Sequence, residues 1–375
     1  MRHGLLDCRA FVPAMMAIIS PVAAQGRQPE FPAPTILEYQ PRSTLVVPEH
    51  PVPRPKFPVV DLHGHPPRLN SVDVVDRVAE QLDGIGVQVM VNANGTGGDE
   101  LRRELAAIAA SHHPDRFVMF TTLDLRDVGP GSGAKLAAQL EADVKAGARG
   151  IGEIMKSFGL YDRKADGSRL HLDDPELDVV WETAARLKIP VFVHTADPAE
   201  FFQPLDYHNE RWLEMALFSN RRFNDTTRFP TFEELMAERD RMIAKHPNTI
   251  WVLAHMGWHT QDLARLGRIF DANPNVHAEV GAVLYDLGRQ PFTAHDFFIK
   301  YQDRILFGKD SFLPEEYPYY WRVFETHDEY FDYYRNYHAF WKLYGMDLPD
   351  PVLRKLYYGN ALRIIPGMPR GGFPG

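Results

Sequence analysis

From residue 57 onward, short runs rich in β-branched and aromatic residues alternate with stretches of helical period, and eight such runs can be counted. They cover 57–62, 87–91, 116–122, 148–154, 190–193, 250–254, 275–280 and 304–307. Helical patterns stand between or after them at 71–83, 99–111, 134–146, 175–187, 231–245 and 351–363, and in the first Val72, Val75, Val78, Ala79 and Leu82 share one face. This alternation predicts an α/β chain closed into a (β/α)8 TIM barrel. An open doubly wound sheet is disfavoured, because no glycine-rich dinucleotide fingerprint follows the first strand. Two connections exceed the usual few residues, 197–230 after strand five and 311–349 after strand eight. Loops that long are commonly functional, and both follow strand C-termini, the face where barrel enzymes build their sites.

With 375 residues, 45% of them hydrophobic, the chain can bury one large core or two small ones. Residues 1–24 stand apart. Arg2 and Arg9 lead into an apolar stretch at 11–19, and Val22, Ala23 and Ala24 suit a signal peptide cleaved after Ala24. Pro13 interrupts that stretch, which is too short for a spanning helix, so a secreted or periplasmic protein without stable membrane insertion is expected. Cys8, the only cysteine, falls in this leader, so any metal must be held by His and carboxylate. Without the leader, 39 basic residues face 49 acidic ones and no basic run remains, which argues against nucleic acid as a partner. Residues 25–56 hold Pro29, Pro32, Pro34, Pro41, Pro48, Pro51, Pro53 and Pro55 without sustained period, the composition of an extended, proline-rich N-terminal arm. The barrel then occupies 57–375.

Ionisable residues gather at the strand ends. In VVDLHGHP the period of two points His63 and His65 the same way, as a chelate for a divalent metal requires. Strand four ends with Glu153 and Lys156, strand five with His194, strand six with His255 and strand eight with Asp310. In a closed barrel these ends converge. Taken singly, each has a plain reading: strand-terminal histidines bond backbone, and Asp310 before Ser311 can cap a turn.

Together the motifs VVDLHGHP, PVFVHT, WVLAHMG, LFGKDS and YYGNALRI resemble the amidohydrolase superfamily, in particular the branch of aminocarboxymuconate-semialdehyde decarboxylase and related nonoxidative decarboxylases, from about residue 57 to 365. The resemblance implies that His63, His65, His194 and Asp310 hold one divalent metal, commonly zinc with manganese as an alternative, and that His255 is an acid/base or substrate-polarising group. Three imidazoles and a carboxylate leave an open position at which water can be acidified, and Asp310 can take its proton. Homodimers are frequent in the family.

Strand four is ambiguous. The odd spacing of Glu153 and Lys156 sends them to opposite faces of a regular strand, so one faces the metal only if the strand bends or ends between them. Lys156 matches a lysine that pairs with substrate carboxylates in related enzymes, whereas Glu153 is similar to a glutamate that bridges two metals elsewhere in the superfamily; a salt bridge to Arg149 is the structural alternative. His259, four residues past His255, is either a group orienting a ligand or an exposed side chain. The two long loops are strongly aromatic, which suits a lid over a planar or apolar small-molecule substrate, with Arg221, Arg222 or Arg228 available for a carboxylate, or simply packing of the insertions. The leading expectation is a metal-dependent hydrolase of carboxylic esters, lactones or amides. Nonoxidative decarboxylation of an aromatic or unsaturated acid is the alternative, and a non-catalytic binding protein the third reading.

Overall fold

The structure is a computed structural model that describes residues 31–338 and 340–374. The expected signal peptide, 1–24, and the first residues of the arm lie outside the described residues. The chain divides into two units at Val46 and Val47. In the smaller unit, residues 31–46 are exposed nearly throughout and make one turn, in which Glu38 accepts from the N–H and Oγ1 of Thr35 at 2.9 and 2.8 Å. In the larger unit the segment before the first strand is tied down. The His50 N–H donates to Asp328 at 2.7 Å and the Lys56 N–H to Glu325 at 3.0 Å.

Nine parallel strands build the sheet: β1 Val59–His65, β2 Val87–Thr96, β3 Phe117–Thr121, β4 Ile151–Ile154, β5 Pro190–Val193, β6 Ile250–Leu253, β7 Val276–Glu279, β8 Ile305–Leu306 and β9 Asp310–Ser311. Their order is β8-β7-β6-β5-β4-β3-β2-β1-β9. The two ends of that list belong to one stretch, 305–311, and the Leu62 N–H donates to the Phe307 carbonyl at 3.0 Å between them. The sheet therefore closes on itself as a (β/α)8 barrel, with β8 and β9 as two halves of the eighth stave. All eight expected strands are present, within a few residues at each boundary.

Strands covered on both faces need continuous apolar runs, and β3, β5 and most of β6 are buried at every position. Amphipathic helices cover the outside; Val72–Ile85 buries Val75, Val78, Ala79 and Leu82. Helices at Leu263–Ala272 and Pro291–Lys300 complete the ring and were absent from the sequence expectation. The first carries a helical period in Leu263, Leu266, Ile269 and Phe270 that the sequence reading passed over, and the second begins at a proline. The loop after β5 folds into short turns of helix, and the loop after β8 contains the helix Tyr317–Glu325. Tyr317, Tyr320, Trp321 and Phe324 of that helix are fully buried, with Trp321 4.9 Å from Phe307, whereas Tyr207 in the other loop is 94% exposed. Most of the lid aromatics thus pack their own loop onto the barrel. No helix among the described residues is long and apolar enough to cross a membrane.

Candidate metal centre

The C-terminal strand ends converge on one carboxylate. Glu153 is buried, and its Oε2 lies 3.1 Å from His63 Nε2 and 3.2 Å from His65 Nε2, while its Oε1 lies 2.7 Å from His194 Nδ1 and 3.8 Å from His255 Nε2. His63 Nε2 and His65 Nε2 approach each other to 3.1 Å, and His194 Nδ1 and His255 Nε2 to 3.3 Å. Asp310 Oδ1 stands 3.7 Å from His65 Nε2 and 4.0 Å from His63 Nε2. These groups form two sets that could hold a metal, His63 with His65 and Glu153, and Glu153 with His194 and His255.

Local backbone explains why Glu153 faces inward. The β4–β5 register is irregular between Ile151 and Ile154, and Gly152 between them has φ 121°, with a Cβ there only 2.3 Å from the Phe192 carbonyl oxygen. The irregularity turns Glu153 to the centre. Lys156 lies beyond the strand, one-quarter exposed, and its Nζ pairs with Asp197 at 2.5 Å. The ambiguity of strand four is thereby resolved in favour of Glu153. His255 follows β6 in a left-handed turn, with φ 55°, 54°, 60° and 54° at His255, Met256, Gly257 and Trp258. Such backbone costs roughly 1–2 kcal/mol per residue other than glycine, so the turn must be held from outside.

The donor set fits a divalent cation. Ligands about 2.1 Å from one ion lie roughly 3.0–3.4 Å from each other, which is the spacing of His63, His65 and Glu153. A histidine that ligates through one nitrogen normally donates its other N–H to an acceptor. His63 Nδ1 donates to Glu279 at 2.9 Å, His65 Nδ1 to Asn94 Oδ1 at 3.1 Å, and His255 Nδ1 to the Gly281 carbonyl at 2.8 Å. Each arrangement leaves a lone pair on the nitrogen facing Glu153. His194 is the inverse case, presenting Nδ1 inward; its Nε2 has no hydrogen-bond partner and lies 3.7 Å from Asp197 Oδ1.

Charge balance tells the same story. Burial disfavours a proton on His63, but Glu153 and Glu279 outweigh it and raise its pKa well above the usual value. For His194 burial is likewise overcome, by Glu153 and Asp197, and its pKa rises to about 9. His255 moves the other way, to about 4, through burial and the neighbouring His194 and His63. Without an ion, protons on His63 and His194 neutralise the buried carboxylates; a cation would replace them.

Several expected residues lie elsewhere. His259 is fully buried rather than exposed, and its Nε2 accepts from Arg239 at 3.0 Å instead of bonding any histidine of the centre. Arg221 pairs with Glu214 and Arg222 donates to the Met215 carbonyl at 2.8 Å, so these two candidates for a substrate carboxylate are engaged; Arg228 is exposed and lies over the Phe229 ring. Glu279, Asn94 and Asp197 were not anticipated. Glu279 ends strand seven, the same signal that marked Glu153. Glu279 also completes a set with His63 and His255, and a fourth cluster, His171, Asp173 and Glu238, shares none of these residues; there Arg169 already occupies Glu238.

This barrel and its histidine–carboxylate centre define a metal-site α/β-barrel enzyme. The chain belongs to the amidohydrolase family, whose model matches residues 50–367. It is 32% identical over 103 residues to the decarboxylase orsB of Emericella nidulans, a match covering 28% of this chain and 26% of that protein, so only about a quarter of the relative's length is spanned. Among solved structures it is similar to an uncharacterised TIM-barrel protein of Bordetella bronchiseptica, with TM-score 0.48, 16% identity and coverage of 82% of this chain and 97% of that one. It is also similar to the apo form of the Metarhizium anisopliae IDCase, with TM-score 0.43, 17% identity and coverage of 77% and 78%.

Proposed function

We propose that this enzyme is a hydrolase acting on a carboxylic ester, lactone or amide, and that it holds two adjacent divalent cations where the sequence reading expected one. One observation carries the two-cation reading: Glu153 divides its two oxygens between two pairs of histidines, so that one carboxylate would offer an oxygen to each of two ligand sets. His63, His65 and Asp310 with Glu153 Oε2 would hold the first, and His194 and His255 with Glu153 Oε1 the second. Imidazole-rich ligation favours zinc over manganese. When bound, the cations would supply Lewis acidity and a water acidified toward neutrality. Asp310, 3.7 Å from His65 Nε2 and with 29% side-chain exposure, is the more open carboxylate of the centre and would accept a proton from the attacking water. Lys156 can leave Asp197 for an acidic group on the substrate.

Nonoxidative decarboxylation is the second reading, supported by the partial match to a decarboxylase. Zinc-loaded protein incubated with lactones, esters, amides and hydroxybenzoates separates the two. Acid release without carbon dioxide is the expected result; carbon dioxide from a hydroxybenzoate with no hydrolysis of the other substrates overturns the hydrolase assignment. Metal analysis of the same protein is expected to find two zinc ions per chain.

A further inference from the structure

The turn that carries His255 is left-handed along its whole length. L residues visit that conformation singly, and a run of four persists only where the surroundings fix it. Two restraints come from the end of β7: Glu279 accepts from the His255 N–H at 2.7 Å, and the Gly281 carbonyl accepts from His255 Nδ1. The third comes from outside the site. Arg239, on the helix Phe232–Lys245, is fully buried and donates from Nη1 to the Gly257 carbonyl at 3.0 Å and from Nη2 to His259 Nε2 at 3.0 Å. The approach is close, since a Cβ on Gly257 would lie 3.0 Å from that Nη1. Among the described residues Arg239 has one carboxylate partner, its chain neighbour Asp240, 41% exposed, whose Oδ1 accepts from Nε at 3.0 Å and from Nη2 at 2.8 Å. A buried guanidinium is costly unless its charge and N–H groups are met; Asp240 takes Nε and one bond of Nη2, and the bonds that remain, from Nη1 to Gly257 and from Nη2 to His259, go to the turn and its flank.

We propose that Arg239 is a positioning residue for the second cation subsite: it clamps the 255–258 turn so that His255 Nε2 stays beside His194 Nδ1 and Trp258 stays stacked on the His255 ring at 4.4 Å. The inference rests on the two-cation reading. His63 and His65 lie on β1, outside the turn, so the first subsite does not depend on the clamp.

Metal-free wild type and Arg239→Met are titrated with zinc by calorimetry, and amide exchange of the 251–262 peptide is followed in both without metal. Wild type is expected to take up two ions. Arg239→Met is expected to keep the first at near-native affinity, to bind the second about 10–100-fold more weakly, and to exchange faster in the turn. Added guanidinium restores part of the second site, and Arg239→Lys falls between. If wild type binds one ion, the two-cation reading fails, and exchange alone judges the clamp: faster exchange in the variant supports it, unchanged exchange overturns it. If wild type binds two and Arg239→Met binds both with native affinity, the clamp is overturned. Should Arg239→Met not fold, Arg239→Lys decides by the same two measurements.

Discussion

Glu279 is fully buried and accepts from His63 Nδ1 at 2.9 Å, from the His255 N–H at 2.7 Å and from the Gly281 N–H at 2.5 Å. One carboxylate thus orients a histidine of the first subsite and the backbone under a histidine of the second. Glu279→Gln keeps the shape but removes the charge and turns an N–H toward one of these donors. We expect zinc affinity to fall about 10–100-fold, read by competition with a chromogenic chelator. Native affinity in a folded Glu279→Gln protein would show that the His63 orientation is set by packing against Phe192, whose ring meets it edge-on at 4.8 Å.

At the scale of the element, β4 is the strand that breaks rule. Four residues long and irregular in register, it delivers Glu153 to the centre because Gly152 adopts φ 121° against the Phe192 carbonyl. A methyl group at this glycine meets backbone that cannot yield cheaply. Gly152→Ala is therefore expected to cost about 2 kcal/mol or more of stability, measured as a lowered urea midpoint, and to weaken zinc binding as Glu153 is displaced. A variant as stable as wild type with full zinc uptake would mean that β4 accommodates the methyl group by moving without shifting Glu153.

For the whole molecule, stability is linked to pH through histidines that folding keeps neutral. Burial, then the positive field of Arg239, holds His259 down at about 2, and burial with Arg363 and Arg304 holds His277 down at about 3. Both pKa values are depressed in the fold, so below the ordinary value of about 6.5 the unfolded chain takes up protons that the folded chain refuses. Stability is then lost as pH falls from that value toward 3, by up to about 1.4 kcal/mol per pH unit for each histidine. His277, whose ring nitrogens have no partner, isolates the effect. In metal-free protein, His277→Leu is expected to flatten the dependence of unfolding free energy between pH 6 and 4.5 by one proton; an unchanged slope would mean that His277 titrates normally in the fold.

Period-two and period-3.6 patterns determined the eight strands, most of the helices and the common direction of His63 and His65, because those properties are local and repeat along the chain. Placement of His194, His255 and Asp310 near that pair followed from barrel closure once the strand ends were counted. Which strand-four residue faces inward was decided by tertiary structure, since the bend at Gly152 depends on the neighbouring strand and not on the spacing of Glu153 and Lys156. The same holds for the partners of the outer imidazole nitrogens. Glu279 stands 216 residues from His63, and Asn94 and Asp197 carry no periodic mark. A polar residue at a strand end looks alike in sequence whether it meets solvent, an arginine or a histidine; only the closed barrel brings its partner within reach.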